Sequence, residues 1–125
     1  MKETWKSIKG FEDYYEISNL GNIRGKVRYF RNWKAICKLQ SRPRKVWAHS
    51  RGYNAIDLWK DNKAHKFYVH RLVAKAFVKN PNHYNEVNHI NRHKRDNRAS
   101  NLEWCTHQYN LGYSAHIRRL ERKVG

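Results

Sequence analysis

The stretch "EVNHINRHKRDNRASNLEWCTHQYN", residues 86–110, decides the fold of this chain. It begins with a short apolar run, "EVNHI", passes through a turn-rich loop, "NRHKRDNRAS", and ends in a second apolar run, "NLEWCT". The two runs predict short strands, and Thr106 is of a type preferred at the N-cap of a helix. A helix is expected over residues 107–123, weakened by Gly112. The predicted order is strand, loop, strand and helix.

The segment before this stretch predicts a hairpin followed by a helix. "GYNAIDLWKDNKAHKFYV" gives a strand from Tyr53 to Trp59, a turn at "KDNK" and a return strand from Lys66 to Val69. Apolar residues then recur at helical spacing: Val69, Leu72, Val73, Ala76 and Phe77. They predict a helix from Val69 to Val78, ended by Pro81, as the main apolar element of the core.

The net positive charge of the chain predicts the kind of molecule that it binds. Lys and Arg number 27 against 10 Asp and Glu, which gives a net charge of +17. No acidic residue lies between Ile17 and Ile56, whereas ten basic residues do. Aromatic residues are interleaved there: Tyr29, Phe30, Trp33, Trp47 and Tyr53. Basic surface with aromatics suits a phosphate backbone, so a nucleic acid is expected as the partner. A basic protein with no nucleic-acid role is the alternative, although such like charge opposes the compact state without a polyanion.

The N-terminal region predicts a separate β-rich unit. "ETWKSIKGFEDYYEISNLGNIRGKVRYF" contains short strands, with a hairpin turn at "SNLGN". The region from Arg31 to Ser50 is expected to be an irregular basic loop or arm that tracks DNA. We therefore expect an α+β fold of two domains. Residues 1–50 form antiparallel hairpins and the basic arm, and residues 51–125 carry the quoted stretch.

The cysteine content and the lengths of the apolar runs predict the cellular compartment of the protein. Cys37 and Cys105 stand alone with no CxxC, so no structural zinc is expected. Two thiols and an N-terminus without an apolar signal sequence favour the cytoplasm. No apolar run reaches membrane length, and we expect no membrane partner.

Three residues of the quoted stretch could converge on one site. His89 ends the first strand, Asn88 precedes it, and Asn110 lies about one turn into the helix. A neutral imidazole with an ordinary pKa of about 6.5 can take a proton from water. Amide oxygens are ligands for hard divalent cations, which stabilise a phosphate and its leaving oxygen. The set suits metal-dependent hydrolysis of a phosphodiester.

The same residues carry a family resemblance. "VNHI", "SNLEW" and "CTHQYN" resemble the HNH signature of the ββα-metal, or His-Me finger, endonucleases of the phage and intron homing type, with markers at His89, Asn101 and Asn110. "VHRLVAKAFVKNP" resembles the lead-in helix of that subgroup. "ETWKSIKGFEDYYEISNLGNIR" resembles the nuclease-associated modular motif that often precedes it. The resemblance covers residues 3 to about 30 and 53 to about 112.

The resemblance implies a role for each marker. His89 matches the general base, and Asn88 and Asn110 match the ligands of one divalent cation, Mg²⁺ or Mn²⁺. Asn101 matches a structural amide that braces the loop. The implied activity is nicking of duplex DNA by a monomer or weak homodimer, encoded by a phage and acting in the host cell. The expected DNA contacts are Arg24, Lys26, Arg28, Arg31, Arg92, Lys94, Arg95 and Arg98.

Two other functions stay open at this point. One is a non-catalytic basic DNA- or RNA-binding protein that keeps the HNH scaffold, and the other is an RNA-binding protein of ribosomal type. Among the single residues, His70 is interpreted as a helix-start histidine that bonds the backbone, and Trp104 is assigned to the core.

Overall fold

The computed structural model describes residues 2–113, which form an α+β fold of short antiparallel strands and two helices. In chain order the strands are β1 (Trp5–Ser7), β2 (Tyr15–Ser18), β3 (Ile23–Gly25), β4 (Arg28–Arg31), β5 (Ile36–Leu39), β6 (Arg42–Arg44), β7 (Trp47–Ala48), β8 (Asn54–Lys60), β9 (Lys63–Tyr68), β10 (Glu86–His89) and β11 (Leu102–Cys105). Helix α1 spans Val69–Phe77, and residues 107–113 form the described part of helix α2.

The predicted N-terminal hairpin is the centre of a four-stranded sheet, in the order β1-β2-β3-β6. Its turn at residues 18–22 is held by Ser18, whose hydroxyl accepts bonds from the backbone N–H groups of Leu20 and Asn22 at 3.2 and 3.0 Å. Gly21 adopts a φ of +90°, which an L side chain rarely tolerates. The turn therefore depends on both residues.

The prediction of an irregular arm from Arg31 to Ser50 is wrong. The region contains β5, β6 and β7, and β5 pairs with β4 as a two-stranded ribbon. β6 holds Pro43, which is tolerated because β6 is the edge strand of the N-terminal sheet. No clean alternation of apolar and polar residues marks these strands, because most of their side chains are exposed on both faces.

The second predicted hairpin is present as β8 and β9, with β7 on its outer side. Asp61 and Asn62 both have positive φ, 53° and 59°, as a tight two-residue hairpin turn requires. The return strand therefore begins at Lys63, opposite Lys60, rather than at Lys66 as predicted.

The predicted helix is confirmed as α1, and its buried face is the centre of the core. That core combines residues from the β1–β2 connection and from β2, β3, β8, α1, β10 and β11: Ile8, Phe11, Tyr15, Ile17, Ile23, Ile56, Leu58, Val69, Leu72, Val73, Ala74, Val87 and Leu102. Trp104 packs against it, as predicted, and its indole N–H donates to the Val78 carbonyl at 3.1 Å. Both halves of the chain thus contribute to one apolar cluster, and a domain boundary at residue 50 stays a prediction.

The strand–loop–strand–helix order of residues 86–113 is also confirmed. β10 pairs antiparallel with β11, from Glu86 opposite Cys105 to His89 opposite Leu102. Thr106 caps α2, since its hydroxyl accepts from the Tyr109 N–H at 3.1 Å. Residues 114–123 of the predicted helix lie outside the described residues. None of the helices within residues 2–113 has the length and apolar character needed to cross a membrane.

Candidate active site

His89 is the last residue of β10, and its ring is buried. Its Nε2 lies 3.0 Å from the amide oxygen Oδ1 of Asn97. An amide oxygen only accepts hydrogen bonds, so Nε2 carries the proton and the lone pair of the neutral ring is on Nδ1. Asn97 therefore fixes the tautomer that a general base needs.

The surroundings also favour the uncharged ring. Burial lowers the pKa of His89, while the Asn97 hydrogen bond and the Asp96 carboxylate act in the opposite direction and the Lys94 ammonium adds to the lowering. Because the net direction is below the ordinary value, His89 is neutral at pH 7 and able to accept a proton.

Two aromatic rings hold His89 from the side of α1 and β8. The His70 ring centroid lies 4.9 Å from that of His89, and the Tyr53 ring stacks on His70 at 4.8 Å. The interpretation of His70 as a residue that bonds the backbone is wrong: its Nδ1 is buried without a hydrogen-bond partner. Burial lowers the pKa of His70 to about 3, so this ring is also neutral.

Asn101 braces the loop between the two strands, as the resemblance implies. Its Nδ2 donates to the Asn91 side-chain oxygen and the Asp96 carbonyl, both at 2.9 Å. Its Oδ1 accepts from the Asn91 N–H at 3.0 Å. All of the amide's donors and its oxygen are engaged within the loop, so Asn101 is placed to fix the loop rather than to bind a ligand.

Asn88 and Asn110 line the same cavity as His89. The cavity has a volume of about 260 Å³ and is lined by Tyr53, Val87, Asn88, His89, Arg92, Lys94 and Asn110. The Tyr113 hydroxyl donates to the Ile90 carbonyl and so ties α2 to the end of β10. The fold thus brings together all three residues that the sequence places in the reaction, with Arg92 and Lys94 beside them.

Both amides are oriented by carboxylates. Asn88 Nδ2 donates to Glu103 Oε1 at 2.8 Å, and Asn110 Nδ2 donates to Glu86 Oε1 at 3.2 Å. Because each amide nitrogen donates to a carboxylate, each amide oxygen is left as a possible ligand for a cation.

This donor set fits a hard divalent cation such as Mg²⁺ or Mn²⁺. Such ions prefer oxygen ligands and retain water or substrate oxygens in the rest of their shell. Within residues 2–113, no group of three or more His, Cys, Asp or Glu side chains is arranged to hold a metal ion.

The other residues predicted to contact DNA differ in whether their charges are paired with carboxylates of the protein. Arg24 pairs with Glu16 at 3.1 Å and lies over the Trp5 ring. Arg98 makes two 2.8 Å bonds to Asp96, whose pKa these bonds hold well below its usual range. The charges of both arginines are thus partly balanced within the protein.

The remaining predicted contacts lie on or next to the ribbon and in the loop between β10 and β11, and they differ in exposure and in their contacts. Arg31 and Arg95 are exposed, whereas Arg28 has a buried Nε with no hydrogen-bond partner and lies over Tyr14. Lys26 donates to the Ser7 hydroxyl at 2.7 Å. Lys94 donates to the Arg51 carbonyl at 3.0 Å while its ammonium faces the Tyr53 ring. Contact with DNA by any of these residues stays a prediction.

Asn97, Tyr53 and the two glutamates that accept from the amides are site residues that the sequence pattern did not identify. Asn97 is one of several asparagines in a polar loop, and nothing in its spacing separates it from its neighbours. Its position depends on Gly21, because a Cβ at that glycine would lie 3.0 Å from the Cβ of Asn97. The Asn19 carbonyl also accepts from the Ala99 N–H at 2.8 Å, so the N-terminal turn supports the loop that orients His89.

Two family descriptions match the chain. The NUMOD4 motif matches residues 3–59, and the HNH endonuclease family matches residues 67–111. Together they cover both the N-terminal sheet and the site around His89.

Individual relatives agree with these matches. An uncharacterized HNH endonuclease, L245, from Acanthamoeba polyphaga mimivirus is 40% identical over 114 residues, which are 91% of this chain and 30% of that protein. The DNA endonuclease I-HmuI of Bacillus phage SP01 is 33% identical over 107 residues, which are 86% of this chain and 55% of I-HmuI. A solved structure of DNA binding and cleavage by I-HmuI superposes with a TM-score of 0.73 at 30% identity, covering 91% of this chain and 59% of that one. The chain therefore spans between about a third and somewhat over half of these relatives.

Proposed function

We propose that this chain, which matches the NUMOD4 motif over residues 3–59 and the HNH endonuclease family over residues 67–111, is a divalent-metal-dependent DNA endonuclease that nicks duplex DNA. The observation that supports this proposal most strongly is the cavity shared by His89, Asn88 and Asn110. I-HmuI, which binds and cleaves DNA, is similar over most of this chain, and that similarity supports DNA as the substrate.

His89 acts as the general base in this proposal. Its Nδ1 lone pair takes the proton of the attacking water, while the Nε2–H stays bonded to Asn97 and supports the ring as it becomes positive. Tyr53 and His70 limit the movement of the ring. These contacts orient the base before substrate arrives, which is the condition for a large contribution to rate.

The remaining groups bind and orient the phosphate. Arg92 and Lys94 line the cavity and would contact the phosphate oxygens of the strand that is cut. Asn88 and Asn110 would hold one Mg²⁺ or Mn²⁺, which when bound supplies charge neutralisation for the phosphate and its leaving oxygen. Asn101 keeps the loop in place, so that the base and the amides stay at fixed separation.

A single cavity of this kind acts on one phosphodiester at a time. We therefore propose a nick in one strand, made by a monomer or a weak homodimer. The relatives come from a giant virus and a Bacillus phage, which supports a virus-encoded protein that acts in the cytoplasm of its host.

Supercoiled plasmid with Mg²⁺ or Mn²⁺ tests the proposal. We expect wild-type protein to convert the plasmid to the open-circular form, and His89→Ala to reduce the rate by roughly 10²–10⁴-fold, the usual contribution of a general base. Affinity for DNA should stay close to that of the wild type, because the exposed basic residues are unchanged.

His93→Ala is the matched control, because His93 lies in the same loop and is exposed. It should cut at the wild-type rate. Wild-type protein that binds DNA but leaves plasmid intact with either metal would instead favour the non-catalytic DNA- or RNA-binding protein on an HNH scaffold. Equal cutting by His89→Ala and wild type would remove His89 from the role of base.

A further inference from the structure

The ribbon formed by β4 and β5 exposes apolar side chains that the nuclease site does not use. Its two strands pair only with each other, in a sheet separate from the rest of the fold within residues 2–113. Tyr29 and Ile36, on one face, are 68% and 67% exposed, and Phe30, on the other, is 53% exposed. A two-stranded ribbon with so little cover is only marginally stable in water by itself.

The turn of the ribbon presents a tryptophan to solvent. Trp33 is 88% exposed, the most exposed of the large apolar side chains that the structure describes. The turn itself is ordered by Asn32, whose Oδ1 accepts from the N–H groups of Lys34 and Ala35 at 2.8 and 2.9 Å and whose N–H donates to the Ala35 carbonyl. An ordered turn thus holds an indole at the outer end of the ribbon.

The charges around this indole are all of one sign. The Lys34 ammonium lies 4.6 Å from the centre of the Trp33 ring, and Arg31 and Lys38 share the face of Tyr29 and Ile36. The sequence from residue 17 to residue 56 contains no acidic residue. A polyanion is therefore the partner that matches the ribbon in charge.

We propose that the ribbon lies in a groove of duplex DNA and that Trp33 inserts at a base step, where it stacks on a base that the contact has partly unstacked. A two-stranded ribbon has the dimensions of the major groove, and an aromatic side chain at its tip can stack on the face of a base that is partly unstacked. Stacking of a base on an aromatic ring is favourable for every base, so the contact selects for steps that open easily rather than for one sequence. The inference rests on the proposed function in taking DNA as the partner.

The test compares two DNA probes in EDTA, so that no cutting takes place. One is a 30-base-pair duplex of mixed sequence, and the other is the same duplex with one unpaired nucleotide, which opens the stack in advance. We expect wild-type protein to bind the bulged duplex roughly tenfold more tightly, because the opened stack removes much of the unstacking cost that the paired duplex imposes. Trp33→Ala should lose this preference and Trp33→Phe should keep most of it.

Two further variants serve as controls. One removes a neighbouring positive charge, and the other removes a different exposed tryptophan. Lys34→Ala should keep the preference for the bulged duplex. It should reduce the slope of log affinity against log salt concentration by the amount expected for about one phosphate contact. Trp33→Ala should leave that slope unchanged. Trp59→Ala removes another half-exposed tryptophan, on β8 away from the ribbon, and should leave binding of both probes unchanged.

The outcomes for the ribbon and for the nuclease are independent. A wild-type protein that binds both probes equally, or a Trp33→Ala protein that keeps the preference, overturns the insertion of Trp33. A protein that shows the Trp33-dependent preference but nicks no plasmid in Mg²⁺ or Mn²⁺ supports the ribbon contact and contradicts the proposed endonuclease activity.

Discussion

The Glu103 carboxylate, which accepts from Asn88, restricts which side chains can replace Asn88 in the proposed metal site. Hard cations bind carboxylates more firmly than amides, so Asn88→Asp is expected to favour metal binding. However, the nitrogen of Asn88 donates to Glu103 at 2.8 Å, and a carboxylate in its place would face another carboxylate. The amide is therefore matched to its neighbour as well as to a cation.

A prediction follows from this pairing. Asn88→Asp alone should lower the free energy of unfolding by roughly 1–3 kcal/mol without divalent cations, since a buried hydrogen bond is replaced by like charges. Asn88→Asp with Glu103→Gln should restore a donor to the pair and reduce the metal concentration for half-maximal cutting by about tenfold. Urea unfolding and metal titration of both variants, with Glu103→Gln as control, measure this. Equal metal requirements in the double variant and wild type would contradict Asn88 as a ligand.

His70 gives the protein a pH-dependent stability. Its pKa is about 3 in the folded state because of burial, with smaller lowering by His89 and Arg71, against about 6.5 in an unfolded chain. The unfolded state therefore binds more protons between these values. Stability should fall as pH drops below 6.5, with a slope of at most about 1.4 kcal/mol per pH unit from this group. The lowered pKa of His89 acts in the same direction.

The measurement is urea unfolding of wild type and His70→Phe at pH 7.5, 6 and 5. Phenylalanine keeps a ring between Tyr53 and His89 but cannot take a proton. The variant should lose less stability on acidification than the wild type. Parallel losses in the two proteins would show that His70 does not contribute to the acid sensitivity.

At the scale of elements, the β2–β3 turn and the loop between β10 and β11 act as a pair. A Cβ at Gly21 would lie 3.0 Å from the Cβ of Asn97, and Asn97 Oδ1 lies 3.0 Å from His89, so a change in the turn should reach His89 through one intermediate residue. The N-terminal sheet thus supports the nuclease site in addition to any contact that it makes with DNA.

Gly21→Ala tests this coupling. The new methyl group would lie 3.0 Å from the Asn97 side chain, so we expect a cleavage rate roughly ten- to a hundredfold lower, as small displacements of catalytic groups typically cause. Gly10→Ala is the matched control, because Gly10 has a similar φ of +86° but its Cβ would meet no atom within 4 Å. Both variants should lose stability through backbone strain. Equal rates in the two would contradict the coupling.

The elements also differ in how well the sequence predicts them. Helix α1 and the β8–β9 hairpin follow from periodicity, because one face of each is buried against a single core. β5 could not be found this way, because its side chains are mostly exposed on both faces and no alternation results. His89, Asn88 and Asn110 were identified by the HNH pattern, whereas the contact of Asn97 with His89 arises only when the loop closes on the N-terminal turn.

At the scale of the whole molecule, the residues that form the apolar core differ from those proposed to bind the cation. The apolar core includes neither Asn88 and Asn110, the proposed ligands, nor Glu86 and Glu103, which accept from them. Removal of the cation should therefore stop cleavage and leave the protein folded.

Chelation by EDTA, followed by circular dichroism and thermal unfolding, measures this separation. We expect an unchanged spectrum and a midpoint within a few degrees of that in Mg²⁺, because a weakly held ion stabilises the folded state by only about 1 kcal/mol. A chain held together by a structural metal would instead melt on chelation. A large loss of structure in EDTA would show that the cation belongs to the fold.

The contact between Gly21 and Asn97 has a consequence for how such proteins change over generations. Genetic exchange can replace the segment that encodes one motif and keep the other. A hybrid gene whose new N-terminal segment encodes a bulkier residue at that turn would yield a folded chain whose base is displaced. Compatibility at this one junction thus restricts which N-terminal segments a lineage can recruit, however well each segment recognises its own DNA.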